Sequence, residues 1–362
     1  VRVGIVGGYG HVGRLVARVL VGHCRLRLGG RDPGQGQRFN DGELNGQAEI
    51  REVDLWDAQS LAAFCSGCDL LINCAGPSYQ VLDRVALAAL ASGADYIDVG
   101  GDDPLHQLLP AQLPPGRRVV LSAGMLPGLS GLFPKVLAAS FERVDAVHCY
   151  AVGLGRLSTT AAEDFLLSLG NGYGQASMGW CDGRAIKSAV LVDEHFERPW
   201  LVGGPVTAHP YLTTEQQRLF TDLRVREAQA YNLFDGGHLR AALGRIQGSP
   251  PALRHTAENI AALVQASALD LAGRTPYQLL AVEMAGLQHG EPQQATAWLR
   301  AADGSALTGT VAAICALQLA KLPEGTHYAA QVMDADDCLR QVLRWLPQTR
   351  IHVTTELEEG VL

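Results

Sequence analysis

The sequence lacks any apolar run near the ~18 residues of a membrane-spanning helix. It is also short of positive charge: 29 Lys and Arg against 37 Asp and Glu give a net charge of −8. Nucleic-acid footprints and polybasic membrane patches both need clustered cations, so the expected partners are small molecules, with no nucleic acid and no membrane. Cysteine is sparse, 8 in 362 residues, which is too dilute for a disulfide framework. Cys65 and Cys68 have CxxC spacing, but a zinc site needs a second pair and only Cys74 lies nearby. Reduced core thiols and no metal are therefore expected. No HExxH, GxSxG or GxxxxGK[ST] occurs, which removes zinc-protease, α/β-hydrolase and P-loop chemistry. Internal repeats and low-complexity segments are absent as well. Val1 to Gly8 is apolar but breaks into glycines at once, as a strand ends and not as a signal peptide continues, so a cytoplasmic protein is expected.

What is present is an ordinary globular mixture, 47% hydrophobic and 18% charged, at a length that suits two domains. The first part alternates strand and helix patterns. Val3 to Val6 reads as a strand, and Val12, Leu15, Val16, Val19 and Leu20 form one helical face. Further strands are expected at Arg25 to Leu28, Glu49 to Val53, Asp69 to Asn73, Tyr96 to Val99 and Arg117 to Ser122, with a helix from Val81 to Ala91. This is the βαβ pattern of a parallel, doubly wound sheet.

Beyond Gly124 the strands, at Val144 to Val152, Ala176 to Cys181, Ala185 to Val192, Leu279 to Leu287 and Ala295 to Ala301, suit a mostly antiparallel sheet. Helices are expected at Ala161 to Leu169, Glu215 to Ala230, Thr256 to Leu271 and Thr310 to Leu322, and a hairpin turn at Asp182-Gly183. The fold class is α/β, a Rossmann domain over 1–123 with an α+β substrate domain over 124–330. Residues 331–362 form a C-terminal segment that could return to the first domain.

Strand one runs into Gly7-Gly8-Tyr9-Gly10-His11-Val12-Gly13, a GxGxxG at Gly8, Gly10 and Gly13 between a strand and an amphipathic helix. That placement points to backbone amides cradling a pyrophosphate, with Gly13 letting helix and strand pack closely. An acidic residue ~20 positions on would bind the ribose of NAD. Here the second strand ends in Gly29-Gly30-Arg31-Asp32. A guanidinium forks onto the 2′-phosphate of NADP, so NADPH is the expected cofactor, with Asp32 able to take the ribose if the register shifts, or to cap the turn before Pro33. Asp54 suits either the adenine edge or the N-cap of a helix from Leu55. Ala75, Gly76 and Pro77 close the fourth strand with small residues where a nicotinamide would approach the backbone.

GGYGHVGRLVARVL, LGGRDP, NCAGPSY, ALASGADYIDVGGD and LSAGMLPGLSGLFPKVLA, in this order, resemble the saccharopine dehydrogenase-like family of NAD(P)-dependent oxidoreductases. The resemblance implies a Rossmann domain, an α+β domain and hydride transfer between an imine and a secondary amine. Saccharopine-type enzymes commonly carry an acidic residue before the Pro-Gly of their substrate loop, whereas Met125-Leu126-Pro127-Gly128 has leucine. Family members also reduce the C=N bond of thiazoline rings in secondary metabolism, a substrate that suits an apolar loop.

Imine reduction needs a proton for the nitrogen. Tyr96, Asp98, Asp102, Asp103 and His106 lie on or after the fifth strand; Asp102 and His106 are one helical turn apart, and the competing account is that Asp102 or Asp103 caps a helix from Pro104 with His106 in solvent. In the second domain Thr160 and Glu163 have capping-box spacing, Asp164 adjoins them, and Tyr150, Tyr173, His209 and Tyr211 are further donors. Arg143, Arg156 and Arg184 are candidates for clamping a substrate carboxylate. These features lead to an NADPH-dependent imine reductase acting on a small-molecule or carrier-bound imine in a cleft between the domains, as a homodimer in one form. An amino-acid or opine-type dehydrogenase and a non-catalytic NADP(H) sensor are the alternatives.

Overall fold

The computed structural model describes residues 1–170, 172–201 and 203–357. The strands among them are β1 (Arg2–Val6), β2 (Arg25–Gly30), β3 (Ala48–Glu52), β4 (Leu70–Asn73), β5 (Asp95–Asp98), β6 (Arg118–Leu121), β7 (Arg143–Leu154), β8 (Gly174–Ala176), β9 (Met178–Cys181), β10 (Arg184–Lys187), β11 (Asp193–Phe196), β12 (Val206–Thr213), β13 (Glu227–Phe234), β14 (Tyr277–Gln288), β15 (Glu291–Ala301), β16 (Gly325–Tyr328) and β17 (Arg350–Leu357). Two compact units divide the chain: Val1–Leu132 with Ser305–Pro347, and Phe133–Gly304 with Gln348–Leu362.

The first unit holds a seven-stranded sheet in the order β16-β6-β5-β4-β1-β2-β3, every neighbouring pair parallel. Strand order reverses between β1 and β4, the switch point at which a doubly wound sheet opens a crevice at its carboxyl edge. Ile5, Leu28, Leu71, Ile72 and Ile97 are fully buried, as strands covered on both faces require. The expected strands fall where the apolar runs put them. The expected helix from Val81 instead breaks at Leu82, which has φ +49°, and resumes as Arg84–Ala91.

The unit boundaries differ from the expected ones at 123 and 330. The first falls inside the helix Leu129–Ala138, and the helix Gly304–Gln318, expected in the second domain, lies mostly in the first unit. Its Gly309 packs so close to the helix His11–Leu20 that a Cβ there would lie 2.7 Å from Leu15 Cβ and 2.9 Å from the Val12 carbonyl oxygen. The C-terminal segment splits: the helix Ala335–Trp345 stays with the first unit, whereas β17 pairs with β15 in the second.

The second unit holds a ten-stranded sheet running β10-β9-β13-β7-β14-β15-β17, with β12 paired to β13, β11 and β8. All its pairs are antiparallel except β13 with β7. Asp182 and Gly183, both at positive φ, turn β9 into β10. The expected helix from Glu215 to Ala230 is half right. Thr213 and Gln216 form a capping box for Thr214–Asp222, Arg224 turns at φ +54°, and Glu227–Phe234 becomes the interior strand β13. Its first residues, Glu227-Ala228-Gln229-Ala230, are all good helix formers, which is why a helical pattern ran on into it.

Candidate functional site

The glycine loop is built from three close approaches and one opening. A Cβ on Gly13 would lie 2.1 Å from the Gly7 carbonyl oxygen, and one on Gly8 2.8 Å from the Ile5 oxygen. These glycines let the helix His11–Leu20 and strand β2 press against the end of β1. Gly7, at φ +72°, would meet the Ala75 amide at 2.9 Å, which ties the loop to the exit of β4. Gly10 is different: it is exposed, and its Cβ would meet only the Gly7 oxygen at 3.2 Å. As N-cap it offers no side chain to the helix, and the first turn holds no acidic residue. The leading amides of the helix, starting with exposed His11 and half-buried Val12, thus present positive partial charge beside an unfilled space, which fits a pyrophosphate.

At the end of β2 Arg31 and Asp32 have different surroundings. Asp32 is the N-cap of the helix Pro33–Glu43, its Oδ1 accepting from the Gln35 amide at 3.1 Å. Arg31 is exposed and makes no ion pair or hydrogen bond among the described residues. Tyr9 packs behind this corner. Its ring fills the space over Gly30 and Gly36, where a Cβ would come within 2.5 and 2.7 Å of it, and its buried hydroxyl has no partner within hydrogen-bonding distance. Burial, with the nearby charge of Asp32, pushes that phenol up to about 12. Asp54 is exposed and caps no helix: its Oδ1 accepts from the Trp56 amide at 2.9 Å, and Asp57 caps Ala58–Cys65 instead.

Beside the switch point the sheet's carboxyl edge is organised by Asp98, 2% exposed. Its carboxylate accepts from Asn73 Nδ2 (3.0 Å), from the Tyr96 hydroxyl, and from the amides of Gly100 (2.9 Å) and Gly101 (2.7 Å). Asn73 in turn accepts from the Ala75 amide at 3.1 Å, so half-buried Ala75, exposed Gly76 and buried Pro77 leave β4 on a fixed path. Asn73 and Asp98 are register partners, and each is the polar residue closing an apolar strand. That pairing was the readable signal for this network.

The expected proton donors do not converge. Tyr96 is fully buried and spends its hydroxyl on Asp98, which removes it from reach of a substrate. Asp102 is buried at the N-cap of Asp103–His106, whereas His106 is exposed and stacked on Tyr328 (5.3 Å, 17°). The Tyr328 hydroxyl donates to Asp103, joining β16 to the turn after β5.

The following loop is folded on itself. The Gly124 amide donates to the Pro127 oxygen (3.1 Å), and Gly128, at φ +125°, lies so close that a Cβ would sit 2.3 Å from the Gly124 oxygen. The Met125 amide donates to Thr308 Oγ1 at 3.2 Å. Leu126 is left 36% exposed at the tip.

In the second unit Ser158, not Thr160, caps Thr159–Ser168, accepting from the Ala161 amide at 3.1 Å. His209 packs edge-on against Phe234, and burial lowers its basicity. Burial pushes the Tyr211 phenol to about 12. Arg143 forks onto Asp145 at 2.8 and 3.0 Å, while Arg156 and Arg184 are exposed. The Tyr150 hydroxyl donates to Glu283 Oε2 at 2.8 Å.

A doubly wound parallel sheet with a glycine loop at its switch point defines a dinucleotide-binding protein of the two-domain α/β class. Residues 3–112 match the family described as saccharopine dehydrogenase NADP binding domain. Residues 3–112 are thus similar to a saccharopine dehydrogenase NADP-binding domain, and that likeness supports NADP(H) as the cofactor. The fold extends over the whole chain: apo saccharopine dehydrogenase (L-Glu forming) from Saccharomyces cerevisiae matches with TM-score 0.68 at 13% identity, covering 98% of this chain and 99% of that one. Partial matches include Pen from Bacillus thuringiensis (TM-score 0.24, 14% identity, 26% of this chain and 36% of that one). An actinorhodin polyketide ketoreductase with NADPH matches at TM-score 0.25 and 16% identity, over 28% of this chain and 53% of that one. Neither carries an argument. No curated protein matches.

Proposed function

We propose that this protein is an NADPH-dependent reductase of a C=N bond, converting an imine to a secondary amine, with a thiazoline-type ring of nonribosomal peptide or siderophore biosynthesis as its substrate. The observation that carries the reading is the pairing, along one carboxyl edge, of a dinucleotide loop with an uncharged substrate loop. Leu126 holds the position where an acidic side chain would attract an amino-acid ammonium. A small apolar heterocycle, free or carrier-bound, loses less on leaving water there than a charged amino acid would.

An amino-acid dehydrogenase of the saccharopine kind is the second reading, supported by the fold match and by exposed Arg156 and Arg184, which remain open to a carboxylate. NADPH consumption measured with 2-methyl-2-thiazoline, and separately with lysine plus a 2-oxo acid, divides the two. Turnover of the thiazoline alone supports the imine reductase. Turnover of the amino acid pair alone replaces it with the dehydrogenase, and binding of NADPH without turnover of either leaves a sensor.

A further inference from the structure

Tyr9 has a ring that its neighbours explain and a hydroxyl that they do not. It stands inside the glycine loop, between Gly8 and Gly10, and its ring reaches to the carboxyl end of β2. A Cβ on Gly30, the last residue of that strand, would lie 2.5 Å from Tyr9 Cζ and 2.7 Å from the hydroxyl oxygen. One on Gly36, in the helix Pro33–Glu43, would lie 2.7 Å from Tyr9 Cε1. Two glycines thus clear the space for the ring, and a phenylalanine ring would fill it as well.

The hydroxyl gains nothing from this packing. Tyr9 is 5% exposed, and its oxygen has no hydrogen-bond partner. The backbone of Asp32 comes near enough to favour the phenolate, as a donor does, and so supplies no acceptor for the phenol's own proton. Burial and the charges of Asp32 and Glu52 outweigh it and keep that proton in place. A buried O–H left unpaired weakens a fold that an apolar ring would not, unless an acceptor arrives.

What could bring the acceptor follows from the place. The adenosine ribose of a dinucleotide lies at the carboxyl end of β2. The Asp32 carboxylate at this corner is engaged on the Gln35 amide, and Arg31 beside it is exposed and makes no ion pair or hydrogen bond among the described residues. Arg31 and Tyr9 both bring donors. A ribose 2′-hydroxyl has a proton of its own to place, which NAD-binding sites meet with a free acidic side chain, whereas a 2′-phosphate offers acceptor oxygens. Two free donors at one corner match the phosphate.

We propose that the Tyr9 hydroxyl donates its proton to an oxygen of the 2′-phosphate of NADP(H), which makes Tyr9 a specificity-determining residue beside Arg31. The proposal rests on NADP(H) as the cofactor and not on the imine substrate. Arg31 supplies the charge, and its side chain breaks no bond in swinging onto the phosphate and admitting it to the corner. Tyr9 supplies a neutral donor whose ring is already fixed by packing, so little side-chain freedom is lost on binding.

The test is calorimetric titration of the full chain and of Tyr9→Phe with NADPH and with NADH. Thermal unfolding at rising concentrations of each cofactor reads affinities too weak to titrate. Tyr9→Phe removes one unpartnered atom and keeps the ring, so its unliganded unfolding midpoint should be no lower than the parent's. The expected result is NADPH weakened ~10-fold, NADH unchanged, and a smaller rise of the unfolding midpoint with NADPH. NADPH affinity equal to the parent's would mean that the hydroxyl only fills space, and equal losses for both cofactors would mean a displaced loop. Either outcome overturns the proposal and leaves the cofactor in its loop. A parent protein that binds neither cofactor would overturn the cofactor reading and the proposal together.

Discussion

Placing a side chain at Gly10 separates cofactor binding from folding, because the glycines of one loop face different neighbours. Gly10 has φ −75° and ψ 178°, a conformation open to any residue, and its Cβ would meet only one atom, at 3.2 Å. Gly10→Val should therefore cost only about 1 kcal/mol, the loss of a favourable N-cap residue. The valine would stand over the leading amides of the helix, where the pyrophosphate must lie. Two lost charge-assisted hydrogen bonds at ~1.5 to 3 kcal/mol each give ~3 to 6 kcal/mol, a weakening of NADPH of roughly 10² to 10⁴-fold. Gly13→Ala is the control with the opposite signature, since its Cβ would lie 2.1 Å from backbone and force the helix off the strand. It should destabilise by ~1 to 3 kcal/mol or more. Calorimetric titration with NADPH and urea unfolding of the same preparations give both numbers. Wild-type affinity in a folded Gly10→Val protein would refute the assignment of the pyrophosphate to this loop.

Arg31→Ala should weaken NADPH ~10-fold or more and leave NADH nearly unchanged, because one charged hydrogen bond to the 2′-phosphate is worth ~1.5 to 3 kcal/mol; equal losses for both cofactors would give Arg31 another role. His106→Gln and Asp102→Asn should keep the shape of the parent pH profile, since one side chain is stacked on Tyr328 and the other is buried; a lost ionisation in either variant would restore it as the acid. Burial raises Cys65, Cys149 and Cys338 from 9.0 to about 12, and Tyr9 and Tyr211 from 10.0 to about 12. These groups stay protonated in the folded chain where the unfolded chain ionises, so their contribution is complete below pH 9 and is lost as pH rises, by up to ~1.4 kcal/mol per group per pH unit. The urea midpoint should fall between pH 8.5 and 10.5, and a constant midpoint would contradict the burial of these groups.

The first sheet was legible because most of its strands are apolar runs ended by glycine or a small polar residue, as buried parallel strands are, while the edge strand β3, Ala-Glu-Ile-Arg-Glu, shows only an alternation. β16 was not: Gly-Thr-His-Tyr is half-buried throughout and carries no apolar run, and only its pairing with β6 makes it a strand. Cofactor choice was half legible. Arg31 could be read, but that Asp32 caps a helix shows only in its bond to Gln35. Glu283 sat inside an expected strand as its one charged residue, and Tyr150, which donates to it, inside another. Which residue lies across from which depends on strand register, and no local pattern in either strand fixes that.

The central claim is reduction of a C=N bond by NADPH, and deuterium transfer tests it most directly. The protein would be given NADPH carrying deuterium at both C4 positions together with 2-methyl-2-thiazoline, and the product analysed by mass spectrometry. The account predicts a thiazolidine with one deuterium, on the former imine carbon. A protein that binds NADPH tightly yet forms no deuterated amine from the thiazoline would contradict it.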